Sequence, residues 1–349
     1  MQSFKSVDPQ NMFQSIYDFP DHILRAIEIG KMMNFNHSYN GIKNIVIAGM
    51  GGSAIGGDVA KVLTNKELEV PLFISRNYKL PNWVNKNTLV ICSSYSGNTE
   101  ETIASFDDAK NKGASIIGIS TGGNLTKKLN KHSLDSILIP NNLQPRAALA
   151  FSLIPILFLL NKLDFIDSNI LDEINAGVIL LKKLRDKYSN ENNNNNFSYS
   201  IAKNIYNTIP IIYAENNNCE VIAVRWKGQL SENSKMLAYH NELPEMNHNE
   251  IVGWENNNDL IKNCSVIWLS DKSDYPRTVI RMKASRDIIG HLAKHHEIIS
   301  VDGDSRTIRL LHLIHLGDWV SFWCAILHGT NPNPVEKIDK LKTILSKKS

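Results

Sequence analysis

Ser94-Tyr95-Ser96-Gly97-Asn98-Thr99 gathers three hydroxyls around one glycine. The apolar run Leu89-Val90-Ile91-Cys92 before it reads as a buried strand, and Thr102-Ile103-Ala104-Ser105-Phe106 after it opens a helix. Hydroxyls donate hydrogen bonds, Gly97 lets the backbone come close, and a helix start offers N–H groups and a positive dipole end. A strand that turns into a helix through such a loop is suited to hold a phosphate. The plainer reading is a turn whose Ser and Thr are ordinary helix caps.

A second loop lies upstream. Asn44-Ile45-Val46-Ile47-Ala48 reads as a strand that runs into Gly49-Met50-Gly51-Gly52-Ser53-Ala54, with a helical pattern through Val59, Ala60, Val62 and Leu63. Gly49, Gly51 and Ala54 nearly fit the dinucleotide fingerprint. That fingerprint expects an acid after the next strand, where this chain has Arg76-Asn77. NAD is therefore disfavoured, while NADP is not excluded by Arg76 alone. Together the two loops favour one compact phosphate ester over a dinucleotide.

These loops need a scaffold. The 349 residues suffice for two domains, and 42% apolar content supplies a core. A formal net charge of +3, with acids and bases interspersed, makes no case for nucleic acid as a partner. Cys92, Cys219, Cys264 and Cys324 form no C-x-x-C pair and read as buried thiols of a reducing cytosol. The N-terminus lacks the apolar core of a signal peptide, and the apolar run over 147–160 is too short to span a bilayer. No membrane association is expected, and the location implied is cytoplasmic. A helix apolar on all sides over 147–160 needs cover all round, which a subunit interface would supply.

Strands are expected over 45–48, 72–75, 89–93, 115–119 and 136–139, with helices between them. This alternation predicts an α/β fold with a parallel sheet flanked by helices, and both hydroxyl loops fall at carboxyl ends of strands, where such sheets bind ligands. A helix over 170–188 and a polar tract, Asn192 to Asn196 included, follow, and the tract is expected to lack regular structure. The plan then repeats, with strands over 209–213, 265–269 and 298–301 and helices over 219–239, 275–291 and 307–327. The loop Glu215-Asn216-Asn217-Asn218 lacks the glycines of its counterpart. The organisation expected is an N-terminal arm and first domain over 1–165, a helix and Asn-rich linker over 166–200, and a second domain with a helical tail over 201–349, only the first domain gripping phosphate.

The S-x-S-G-x-T pattern at Ser94 to Thr99 resembles the SIS (sugar isomerase) domains. Pro145-Arg146-Ala147-Ala148, Glu232-Asn233-Ser234-Lys235, Asn247-His248-Asn249-Glu250-Ile251-Val252-Gly253 and the tail Ile338-Asp339-Lys340-Leu341-Lys342 narrow the likeness to the bifunctional phosphoglucose/phosphomannose isomerases. The resemblance covers nearly the whole chain. It implies two SIS-type domains in a homodimer with shared active sites, and interconversion of glucose 6-phosphate and mannose 6-phosphate with fructose 6-phosphate, without metal or other cofactor. By the matching motifs, Gly52, Ser53, Ser94, Ser96 and Thr99 would hold phosphate, Arg146 would face the reacting carbons and Glu232 would be the base. His248, reaching across from the other subunit, and Lys342 would handle ring opening.

The residue types suit that chemistry. Moving a proton between C1 and C2 through an enediolate needs one base that takes and returns it, and a glutamate serves where its site raises its pKa. Arg supplies fixed charge at the enediolate oxygen, and His suits proton transfer at the ring oxygen. On its own, each position has a plainer reading. Glu232 shares a helix face with Arg225 and Gln229, which could line a cleft or be a solvated face with Lys235 at i+3. A loop histidine such as His248 is more often a surface residue. Arg146 could be a charged helix start, though a cation there opposes the dipole. Lys342 lies in a lysine-rich tail that also reads as a solvated amphipathic helix. His312, His315 and Asp318 recur at helical spacing among leucines, which predicts hydrogen-bonded core histidines rather than a metal face. The pair His295-His296 is expected at the surface just before a strand.

Two rival readings use the same loops. A non-catalytic sugar-phosphate sensor would need no Glu232 or His248, and residues 1–40 make no convincing DNA-binding module. An NAD(P)-dependent enzyme is opposed by the acid-free second strand.

Overall fold

The structure is a computed structural model that describes residues 3–190 and 195–347. The elements run α1 (Met12–Tyr17), α2 (Phe19–Lys31), β1 (Asn44–Ala48), α3 (Gly51–Thr64), β2 (Leu72–Ser75), β3 (Thr88–Ser93), α4 (Glu100–Asn111), β4 (Ser115–Ser120), α5 (Gly123–Lys131), β5 (Asp135–Leu138), α6 (Leu149–Lys162) and α7 (Asn169–Tyr188). They continue with α8 (Phe197–Ile205), β6 (Ile209–Glu215), α9 (Glu220–Asn233), β7 (Tyr239–Leu243), α10 (Asn258–Ile261), β8 (Cys264–Leu269), α11 (Pro276–Ile289), β9 (His295–Ile299), α12 (Arg306–Leu327) and α13 (Glu336–Leu345). These form two compact units, Asp18–Lys182 and Met1–Tyr17 with Lys183–Ser349.

The first unit is built on a five-stranded parallel sheet of order β2-β1-β3-β4-β5. β3 is buried along its whole length, as its continuous apolar run demands at the centre of such a sheet. Every residue of α6 over 149–160 is buried. The sequence pointed to a subunit interface for this cover, but α2 and α3 of the same unit pack on α6 and supply it. Its one hydroxyl in that run, Ser152, donates to Leu149 O at 3.0 Å and Gly52 O at 3.2 Å.

The second unit repeats the strand order with one strand fewer, β7-β6-β8-β9, again all parallel. The 22-residue α12 packs against α8, α9 and α1. It is long and apolar enough to cross a membrane, yet 89% of its apolar window is buried among these neighbours, as for a core helix. Phe4 and Phe13 stack with centroids 5.0 Å apart, and Phe13 stands 5.2 Å from Trp319 of α12. This aromatic packing groups residues up to Tyr17 with the second unit, where the sequence reading had grouped the arm with the first domain.

Two local expectations are corrected. α9 stops at Asn233 instead of running to Tyr239, because Lys235 turns to φ +56° and breaks the helix. The freed residues 234–238 are irregular and lead into β7, an edge strand of mixed polarity that the sequence does not announce. β9 begins at His295, three residues early, so His295 and His296 pair with Ser265 and Val266 in the sheet. In the Asn-rich tract, residues 191–194 lie outside the described residues. Asn196 is buried and caps α8: its Oδ1 accepts from Tyr199 N at 3.1 Å and Ser198 Oγ at 2.7 Å, and its Nδ2 donates to Tyr188 O at 2.8 Å.

Candidate active site

In the first unit the strand order reverses between β1 and β3, the place where such sheets bind ligands. The loops leaving these two strands are the two found in the sequence. The Tyr95 N–H donates to Ser53 Oγ at 3.1 Å, which joins them. Ser94 Oγ donates to Thr99 Oγ1 at 2.9 Å, and Ser96 Oγ accepts from Asn98 N at 3.2 Å. Thr99 caps α4 from an extended conformation without a side-chain cap bond, so its hydroxyl is not spent on its own helix.

Gly97 sits at φ +66°, and a Cβ there would stand 1.8 Å from Gly122 O. Only glycine fits. Leu125 N to Gly97 O at 2.8 Å, Thr121 N to Tyr95 O at 3.0 Å and Asn124 N to Asn98 Oδ1 at 3.0 Å lace this loop to the end of β4. The loop is thereby held in one shape before any ligand arrives. A Cβ at Gly52 would meet Pro145 O at 2.6 Å, so the start of α3 abuts the turn Pro145–Ala147 that carries the buried Arg146. Leu143 N donates to Tyr95 Oη at 3.1 Å, and burial raises the pKa of that hydroxyl. Gly52, Ser53, Ser94, Ser96, Thr99 and the Arg146 turn thus form one connected constellation. Tyr95, Asn98 and Gly122 complete it. Sequence reading passed over them because their roles depend on a chain segment some 25 to 50 residues away.

In the second unit Glu232 occupies the last turn of α9 and lines a cavity of about 640 Å³. Ser231, Lys235, Thr330, Asn331 and Glu336 also wall it. Lys342 is exposed on α13, one turn past Ile338, which does line the cavity. His248 is exposed at the end of the turn Glu245–His248 and is not in this wall either. The cavity therefore takes in Glu232 but neither His248 nor Lys342.

The face shared by Arg225, Gln229 and Glu232 is not an open cleft along its length. Arg225 and Gln229 are buried against α12, donating to Asp318 Oδ2 at 2.7 Å and Oδ1 at 2.8 Å. Burial raises the Asp318 pKa and the Arg225 charge opposes it. The histidines of α12 are hydrogen-bonded core residues as expected. His312 Nε2 lies 2.8 Å from Tyr188 Oη, and His315 Nε2 accepts from Trp319 Nε1 at 3.0 Å. Burial pushes the His315 imidazole down to about 3. Among the described residues no group of three or more His, Cys, Asp or Glu could hold a metal ion.

The second sheet offers the same switch point between β6 and β8, but its loops carry acids. Glu215 accepts from Tyr275 N at 2.9 Å, Asp274 accepts from Asn218 Nδ2 at 2.7 Å, and Asp271 forms a two-point pair with Arg309 at 2.6 and 2.9 Å. Burial, with Glu215 nearby, pushes Asp274 up to about 6. Carboxylates locked in this way offer a phosphate no donor of their own. Three cysteines, Cys92, Cys219 and Cys324, are buried, and burial pushes the Cys92 thiol up to about 12.

Two parallel sheets of one strand order, with the hydroxyl cradle at the switch point of the first, define an SIS-domain protein. The fold is similar to the C-terminal domain of glucosamine-fructose-6-phosphate aminotransferase from Francisella tularensis, with a TM-score of 0.72 and 17% identity over 93% of this chain and 98% of that one. Residues 194–345 match the family model described as bacterial phospho-glucose isomerase C-terminal SIS domain. The chain is 44% identical over 337 residues to a bifunctional phosphoglucose/phosphomannose isomerase of Caldicellulosiruptor bescii, covering 96% of this chain and 99% of the relative. A protein of that name from Aquifex aeolicus is 36% identical over 87% of this chain and 91% of its own length. The chain belongs to the bifunctional phosphoglucose/phosphomannose isomerase family.

Proposed function

We propose that this chain interconverts glucose 6-phosphate and mannose 6-phosphate with fructose 6-phosphate by metal-independent proton transfer. The observation that carries the reading is the 44% identity to the Caldicellulosiruptor bescii relative over nearly the full length of both chains. The hydroxyl cradle supports it. Gly52, Ser53, Ser94, Ser96 and Thr99 hold the phosphate, far from the reacting carbons, so its binding energy goes into orientation. Glu232 takes the proton from C2 of the open-chain aldose. The C2 electron pair forms the C1=C2 bond, and charge gathers on O1, where Arg146 stabilises it. The proton returns to C1, and the O2 proton passes to O1 as C2=O2 forms, which gives the ketose. The enediolate has no stereocentre at C2, so glucose and mannose phosphates pass through one intermediate.

His248, contributed by the partner of a homodimer, and Lys342 move the protons of ring opening. The unpaired thiols fit a cytoplasmic enzyme.

The test is formation of fructose 6-phosphate from each aldose phosphate with a chelator present. Turnover of both supports the reading. Turnover of neither by folded protein refutes it and favours another phosphosugar.

A further inference from the structure

We infer that Lys235 is a positioning residue that holds the Glu232 turn and the opposite wall of the cavity at a fixed spacing. The inference rests on the reading of Glu232 as the base. Helix α9 ends one residue after Glu232, and Lys235 follows at φ +56°, a conformation that glycine adopts more readily. The lysine side chain folds back over the end of the helix. Its Nζ donates to Glu232 O at 2.8 Å, to Asn233 O at 3.3 Å and to Pro332 O at 3.0 Å. The ammonium thereby meets three backbone carbonyls. Two of these acceptors are carbonyls at the C-terminal end of α9, where positive charge is favourable.

The third acceptor belongs to the link over 328–335 that joins α12 to α13. The next residue pins the same link from another side: Asn333 Nδ2 donates to Asp8 Oδ1 at 2.9 Å, and the Asp8 carboxylate also takes the N–H groups of Met12 and Phe13 at 2.8 Å each. The link supplies Thr330, Asn331, Pro334 and Val335 to the cavity, and α9 supplies Ser231 and Glu232. Lys235 is thus a direct tie between the two walls. A glycine at 235 would end the helix equally well but could not reach Pro332. Proton abstraction needs the carboxylate within hydrogen-bond reach of the carbon, and a displacement of about 1 Å costs on the order of a hundredfold in rate.

The test compares Lys235→Gly, which keeps the backbone at ease and removes the tie, with Lys235→Arg, which keeps a donor. The expected result for Lys235→Gly is a 10- to 100-fold fall in kcat, an unchanged inhibition constant for inorganic phosphate and faster amide exchange over 330–335. Lys235→Arg should recover part of the kcat. A Lys235→Gly kcat within twofold of the unaltered enzyme, with Glu232→Gln inactive, would overturn the inference and leave the base assignment standing. Unchanged exchange over 330–335 would overturn it whatever the activity. If Glu232→Gln keeps its turnover, the base assignment fails separately and the exchange result alone decides the tie.

Discussion

The Ser94 hydroxyl donates to the Thr99 hydroxyl at 2.9 Å across the turn between β3 and α4. Each hydroxyl thus restrains the other before a ligand enters.

Removing both hydroxyls, in Ser94→Ala with Thr99→Ala, should weaken phosphorylated hexoses about 10²- to 10⁴-fold, since each hydrogen bond to a charged group is worth roughly 1.5–3 kcal/mol. Calorimetric titration checks this, and unaltered affinity would remove the cradle from the account.

Gly97→Ala should do more damage than its size suggests. The added Cβ meets Gly122 O at 1.8 Å in a left-handed backbone, so the loop must move. A loss of about 1–3 kcal/mol in urea unfolding is expected together with loss of sugar-phosphate binding. Full binding with unchanged stability would show that the loop tolerates other shapes.

Much of this was legible in the sequence, for identifiable reasons. Both hydroxyl loops follow strands whose apolar runs are unambiguous, and the helix starts come directly after. β7 was not legible because Tyr239-His240-Asn241-Glu242-Leu243 is a half-exposed edge strand with one buried residue, so neither alternation nor an apolar run marks it. The end of α9 was hidden because the residue that stops it is a lysine rather than a glycine. The cover of α6 and the burial of Arg225 on Asp318 depend on elements far away in the chain, which spacing along a helix cannot reveal.

The pH dependence of stability has a defined sign at His315. Its folded pKa of about 3 lies below the ordinary histidine value, so the unfolded chain binds more protons between pH 3 and 6.5. The stability this residue contributes is present above pH 6.5 and is lost as pH falls through that window. His315→Gln should flatten the pH slope of the urea midpoint there by up to one proton, about 1.4 kcal/mol per pH unit. An unchanged slope would place the acid sensitivity elsewhere.

If His248 serves the partner's site, inactive Glu232→Gln and inactive His248→Ala proteins should regain partial activity when mixed. Hybrid dimers would then carry one site with both residues intact. Verified hybrids without recovery would place His248 in the site of its own chain or outside catalysis.

The central claim is that Glu232 moves the proton, and the most direct measurement is the turnover and substrate affinity of Glu232→Gln. The account predicts that kcat falls by about 10² to 10⁴, the usual worth of a positioned general base, while glucose 6-phosphate still binds within about threefold of the unaltered enzyme. A kcat within tenfold of the unaltered enzyme would contradict it.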